Sequence, residues 1–103
     1  MTYHHTGIPV FEKMEGMSFV EPLKVWVTDA GASPYKVEWL YFEPDSPMAA
    51  AIQDETHVAY VVDNIEEAVK GKSVLWPVCE VAPGLKIAFI YDQGLPIELM
   101  QVG

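Results

Sequence analysis

The stretch His5-Thr-Gly-Ile-Pro-Val10 recurs later in the chain as His57-Val-Ala-Tyr-Val-Val62, and these two copies decide how the sequence is interpreted. A second pair follows, because Val37-Glu38-Trp39-Leu40 has its counterpart in Ile97-Glu98-Leu99-Met100. The order His, Glu, His, Glu is therefore an internal repeat, which indicates two similar structural units. One histidine and one carboxylate from each unit are the ingredients of a single metal site at a local twofold axis.

The composition is that of one acidic globular domain. The chain has 103 residues and is 50% hydrophobic, which is enough for a packed core. We expect a single domain, with a first module at about residues 1–45 and a second at about residues 55–103. The net charge is −9 and all cationic residues are lysines, so nucleic acids and anionic membrane surfaces are poor partners.

The sequence shows no sign of secretion or membrane insertion. It contains no run of about 18 apolar residues and no secretory signal at its start. Cys79 is the only cysteine, so an internal disulfide is impossible and a reducing compartment is the default. We therefore expect a cytoplasmic protein without a membrane-spanning segment.

The second module reads as a strand, a helix and three further strands. The helix is expected to begin at an Asp63 cap and to end at Gly71. Alternating or β-branched runs predict the strands. They are residues 57–62, 73–81, 85–91 and 96–102.

The first module reads as a reduced version of the same pattern. Strands are predicted at residues 3–10, 23–28 and 35–42. The module would then have a stunted helix and one strand short or merged. A short helix at residues 48–53, introduced by Ser46 and Pro47, joins the modules. The predicted fold class is α+β.

Strand alternation places both glutamates on apolar faces. Glu38 shares its face with Leu40 and Phe42, and Glu98 shares its face with Met100. Because an isolated buried carboxylate is costly, such groups are paired, protonated or bound to metal. The adjacent His4 should point to the opposite side of its strand.

The two histidines open equivalent strands, so four side chains could converge. A single strand histidine is more often structural than a ligand, but here all four positions are filled in register. His5, Glu38, His57 and Glu98 would suit a divalent Zn, Ni, Co, Mn or Fe ion. Such an ion could polarise a carbonyl, and Glu98 or Glu38 could act as the base for an adjacent proton.

The same residues resemble the vicinal oxygen chelate superfamily, which includes glyoxalase I, methylmalonyl-CoA epimerase, extradiol dioxygenases and bleomycin-resistance proteins. His5-Thr-Gly-Ile-Pro-Val10 resembles the family's opening His-x-Gly-Ile-x-Val strand. Residues 57–68 resemble the opening strand and helix of the second module, and residues 92–99 resemble its closing hairpin. The resemblance covers most of the chain outside residues 11–34, and it is closest to the glyoxalase and epimerase branch.

The resemblance implies two βαβββ-type modules that form a half-open, cupped barrel, with the first module shortened. It assigns His5, Glu38, His57 and Glu98 to the four metal-ligand positions. It also implies a metal-dependent isomerase or lyase acting on a small oxygenated substrate, in a homodimer. Two alternatives share the fold: a small-molecule binding or resistance protein without chemistry, and an extradiol-type dioxygenase. The absence of arginine argues against glutathione and coenzyme A substrates.

Overall fold

The computed structural model describes all of residues 1–103, and its main feature is one curled, mixed sheet of eight strands. The strands follow the order β2-β3-β4-β1-β5-β8-β7-β6 across the sheet. Their bounds are β1 Thr2–Pro9, β2 Ser18–Val20, β3 Val25–Val27, β4 Val37–Phe42, β5 His57–Val61, β6 Ser73–Ala82, β7 Leu85–Asp92 and β8 Leu95–Val102. This half-barrel confirms the predicted fold class.

The sheet consists of two four-stranded units with the same topology. In the first, β1 pairs in parallel with β4, and β4, β3 and β2 follow as antiparallel neighbours. In the second, β5 pairs in parallel with β8, and β8, β7 and β6 follow in the same way. An antiparallel pairing of β1 with β5 joins the two units. The predicted repeat is therefore a repeat of strand topology.

The first unit keeps all four strands, so the expectation that one was missing or merged was wrong. The missed strand is β2, which has three residues and is held by antiparallel pairing of Ser18–Val20 with Val25–Val27. The reduction lies in the connection before it, because residues 10–17 form turns and irregular backbone where the second unit has a helix. Short strands and the lost helix account for the shortened module.

Both α-helices are short and begin later than predicted. The helix α1 (Ala50–Asp54) starts after an Ala49 cap that makes no side-chain hydrogen bond. The helix α2 (Ile65–Ala68) is capped by Asn64, whose side chain accepts a hydrogen bond from the Glu67 amide, so Asp63 is not the cap. No helix of the structure is long and apolar enough to cross a bilayer.

Two apolar clusters hold the sheet. The larger lies on its inner face and includes Val25, Leu40, Ile87 and Phe89, with Ile52 of α1 packed into it. The smaller is formed by Ile65, Ala88, Ile90 and Leu99, where α2 covers the outer face of the second unit. The inner cluster brings the two units together around the site described below.

The β1–β5 junction sets each histidine opposite a small residue. His5 pairs with Ala59, and Gly7 pairs with His57. A Cβ on Gly7 would lie within 2.7 Å of three ring atoms of His57. Glycine at position 7 therefore leaves the space that the imidazole of His57 occupies.

We expect Gly7→Ala to lower the free energy of unfolding by about 1–3 kcal/mol, because the His57 ring or the β1–β5 pairing must shift to accept the methyl group. Thr2→Ala, on the exposed end of the same strand, should change it by less than about 0.5 kcal/mol. Urea denaturation of the purified variants measures both values. A Gly7→Ala protein as stable as the wild type would show that the junction is not closely packed there.

Candidate metal centre

The four residues singled out by the repeat come together within one chain. Nε2 of His5 lies 3.3 Å from an oxygen of Glu38 and 3.3 Å from an oxygen of Glu98. Nε2 of His57 lies 3.1 Å from the same Glu98 oxygen. One atom from each of His5, Glu38 and His57 lies within 4.8 Å of the other two. The structure thus gathers the whole set, with Glu98 in contact with both histidines.

Matching registers in the two units produce this convergence. Gly7, two residues after His5, pairs with Glu38 across the parallel β1–β4 ladder. Ala59, two residues after His57, pairs with Glu98 across β5–β8. Each unit therefore presents its histidine and glutamate from adjacent strands with the same offset. The antiparallel junction then places the two pairs face to face.

The site is buried and favours a positive charge at its centre. Burial by itself lowers the pKa of His5, but hydrogen bonding and charge from Glu38 and Glu98 outweigh it and raise the pKa from 6.5 to about 10. Burial likewise raises the pKa of Glu98, but His5 and His57 bring it down from 4.5 to about 2. The side chain of His57 is only 1% exposed, so water screens these interactions little.

The geometry and chemistry of the cluster fit a divalent cation. Two atoms bound to one ion at about 2.1 Å lie roughly 3.0 Å apart at right angles and roughly 3.4 Å apart in a tetrahedron. The observed separations of 3.1 and 3.3 Å fall in this range. Nε2 of His5 is buried 3.3 Å from two carboxylate oxygens but makes no well-aligned hydrogen bond with either of them. A proton or a metal ion at this point would satisfy all of these atoms.

His4 is exposed, but it contacts the site, contrary to the expectation that it points away. The register between β1 and β5 shifts between Tyr3 and His5, so His4 lies at an irregularity where strand alternation fails. Its Nδ1 lies 2.7 Å from Nδ1 of His5, and its ring lines the same cavity. Sequence reasoning missed His4 because it assumed a regular strand, and the adjacent pair of histidines was the only local signal.

Which of His4 and His5 donates in this contact depends on what Nε2 of His5 holds. If Nε2 of His5 binds a metal, the ring's proton is on Nδ1; if His5 is protonated, both nitrogens carry protons. In both states Nδ1 of His5 donates to Nδ1 of His4. Nδ1 of His57 has no such partner, and that ring instead lies against Phe89 with 5.1 Å between ring centroids.

A largely apolar cup of about 260 Å³ opens beside the cluster. Its polar lining consists of His4, His5, Glu38 and Glu98, which form one connected patch. Strands from both units supply the rest of the wall. Both glutamates and the apolar residues predicted to share their faces line this cup, as Leu40, Phe42 and Met100 show. The cluster therefore borders a space large enough for a small molecule.

Comparison with known proteins gives the fold. No protein-family model and no curated protein matches the chain. The crystal structure of a hypothetical protein from Bacillus halodurans C-125 matches it with a TM-score of 0.67 and 22% sequence identity. The match covers 99% of this chain and 94% of the other. This likeness shows a shared fold, and the curled sheet is consistent with a vicinal oxygen chelate-like architecture.

We expect His4→Ala to weaken Zn²⁺ or Ni²⁺ binding by about 10–100-fold, because the Nδ1 of His5 would lose the acceptor that orients its ring. Tyr3→Phe, a change at the neighbouring residue whose hydroxyl bonds Thr6 and not His5, is the control. Isothermal titration calorimetry measures the affinities. Equal affinity of His4→Ala and wild type would remove His4 from the site.

Proposed function

We propose that the chain is a divalent-metal-dependent isomerase or lyase of the vicinal oxygen chelate type, related to glyoxalases and epimerases. The observation that carries the proposal is the contact of His5, Glu38, His57 and Glu98 at the wall of an apolar cup. Its reaction would remove a proton next to the carbonyl of a small oxygenated substrate. The homodimer expected from the sequence stays a prediction.

Nε2 of each histidine and one oxygen of each glutamate would hold the ion. This mixture of nitrogen and oxygen donors suits Zn, Ni, Co, Mn or Fe. When bound, the ion would supply Lewis acidity toward a carbonyl oxygen. The chain's own residues then have three tasks: to fix the donors, to keep water out of the cup and to accept a proton.

Glu98 and Glu38 are not equally suited to act as the catalytic base. An oxygen of Glu98 contacts both histidines, and only 11% of its side chain is exposed. Glu38 contacts one histidine, its side chain is 18% exposed, and it also lines a second, polar cavity of about 430 Å³. A proton accepted by Glu38 thus has a route toward solvent. We assign the base to Glu38 and a purely ligating role to Glu98.

A non-catalytic binding protein of the same fold is the second candidate. The cup favours it, because most of its wall is apolar and could hold a small molecule without any chemistry. Only the catalytic function depends on a metal ion bound to the four-residue cluster. A binding protein would retain its ligand unchanged and would not require the metal.

Metal content is the first test. We expect about one divalent ion per chain in untagged protein, or on titration with Zn, Ni, Co, Mn or Fe(II), measured by inductively coupled plasma mass spectrometry. His57→Ala should lose most of it, since one of four donors is removed. Glu80→Gln makes a charge change at an exposed site and should retain it. Wild-type protein that binds none of these ions would rule the proposal out.

Proton abstraction is the second test. In D₂O, the metal-loaded protein should exchange the C–H next to the carbonyl of an α-hydroxyketone or hemithioacetal, which proton NMR detects. Glu38→Gln should lower the exchange rate at saturating metal by about 100-fold or more, because it removes the base. Glu80→Gln again serves as the control. Binding of these compounds without exchange, in metal-loaded and metal-free protein alike, would favour the binding-protein function.

A further inference from the structure

The cup is chemically divided into a small polar patch and a large apolar wall. The patch is the connected group His4, His5, Glu38 and Glu98 described above. The wall is aliphatic and aromatic in both units. Its members include Val25, Leu40, Phe42, Ile87, Phe89 and Met100. Outside the patch, no residue that lines the cup has a charged side chain that could contact a bound molecule.

No lysine lines the cup, and its histidines belong to the polar patch, so the apolar wall contains no cationic side chain. Four of the six lysines form ion pairs elsewhere, and Lys13 lies over the ring of Trp26, 4.0 Å from its centroid. The paired lysines are Lys24 with Asp45, Lys70 with Glu67, Lys72 with Asp92 and Lys86 with Glu66. The last one, Lys36, lines the separate polar cavity. A phosphate or carboxylate in the cup would therefore have no counter-charge within the wall.

From these observations we infer that the cup takes an uncharged molecule with an apolar body, whose oxygen-bearing end lies at the polar patch. This inference deepens the function proposed above and rests on it for the oxygens, whereas the apolar body is argued from the wall alone. Burying an ionised group against such a wall costs far more than burying an apolar one, because the charge loses its hydration without gaining a partner.

The volume of the cup limits the size of that body. A cavity of about 150 Å³ with a similar aliphatic and aromatic lining holds benzene. The cup, at about 260 Å³, is larger than that but smaller than the usual range for drug-sized ligands, which begins at about 300 Å³. One substituted ring, or a branched chain of similar bulk, fills it. A nucleotide-bearing thioester does not.

Two of the five methionines make the cup directly observable. Met48 and Met100 line it and are nearly buried, while Met1 and Met14 are exposed on the surface. Protein labelled with ¹³C on the methionine methyl groups therefore reports binding in the cup separately from binding elsewhere.

Three probes test the chemical class on metal-loaded protein. The uncharged probe is 2-hydroxyacetophenone, which has one ring and two neighbouring oxygens. The compound 4-(2-hydroxyacetyl)benzoate adds a carboxylate at the far end of that ring, and dihydroxyacetone keeps the oxygens without the ring. We expect 2-hydroxyacetophenone to shift the Met48 and Met100 signals with a Kd about tenfold or more below those of the other two.

Several results would overturn the inference. One is equal or tighter binding of the benzoate, and another is equal binding of dihydroxyacetone. A third is a shift confined to the exposed methionines. Val81→Phe, which fills the cup from β6, should weaken binding of 2-hydroxyacetophenone by about tenfold or more, and Val74→Phe, on the same strand but exposed, should not. Identical affinities of these two variants would also contradict the inference.

Binding of ethylbenzene to metal-free protein tests the inference about the apolar wall independently of the proposed function. The probe has the apolar body without oxygens, so its shift of the Met48 and Met100 signals depends on the wall and not on the metal. If ethylbenzene binds but the protein takes up no metal, the inference on the wall stands and the proposed function fails. If metal binds and proton exchange occurs, but only with anionic substrates, the function stands and the inference fails.

Discussion

The antiparallel pairing of β1 with β5 is the constraint on which the rest of the structure depends. It is the only ladder between the two four-stranded units, and it sets His5 opposite Ala59 and His57 opposite Gly7. Because a methyl group on Gly7 would overlap the ring of His57, the residue facing His57 must lack a side chain. The hydrogen bonds between β1 and β5 therefore join the two units of the half-barrel and also bring the two imidazoles together.

The repeat in the sequence was sufficient to predict two similar units and to single out the four residues, whereas the cupped half-barrel was implied by the family resemblance. Side chains alternate strictly along a strand, so the faces of Glu38 and Glu98 could be inferred from their neighbours alone. The separation along the chain differs, at 33 residues from His5 to Glu38 and 41 from His57 to Glu98, but the β1–β4 and β5–β8 registers give both pairs the same offset.

What could not be predicted depends on contacts that are distant in the sequence. His4 turns toward His5 because the β1–β5 register shifts there, and no local pattern encodes that shift. The strand β2 exists because Ser18–Val20 pairs with Val25–Val27, and three residues are too few to show alternation. Asn64 rather than Asp63 caps α2, since the two are equally good caps in isolation and the packing of Ile65 selects between them.

The distribution of the four residues along the chain also bears on how the protein folds. His5 lies near the first residue of the chain and Glu98 near the last, on β1 and β8, which come together because each of them pairs with β5. Contacts between such distant segments form late, because closing a long loop costs entropy before it brings any favourable contact. No partly folded state with one open unit would contain the complete cluster. A cation bound to the complete cluster would stabilise the folded state and slow its unfolding. It would not assist the early steps of folding.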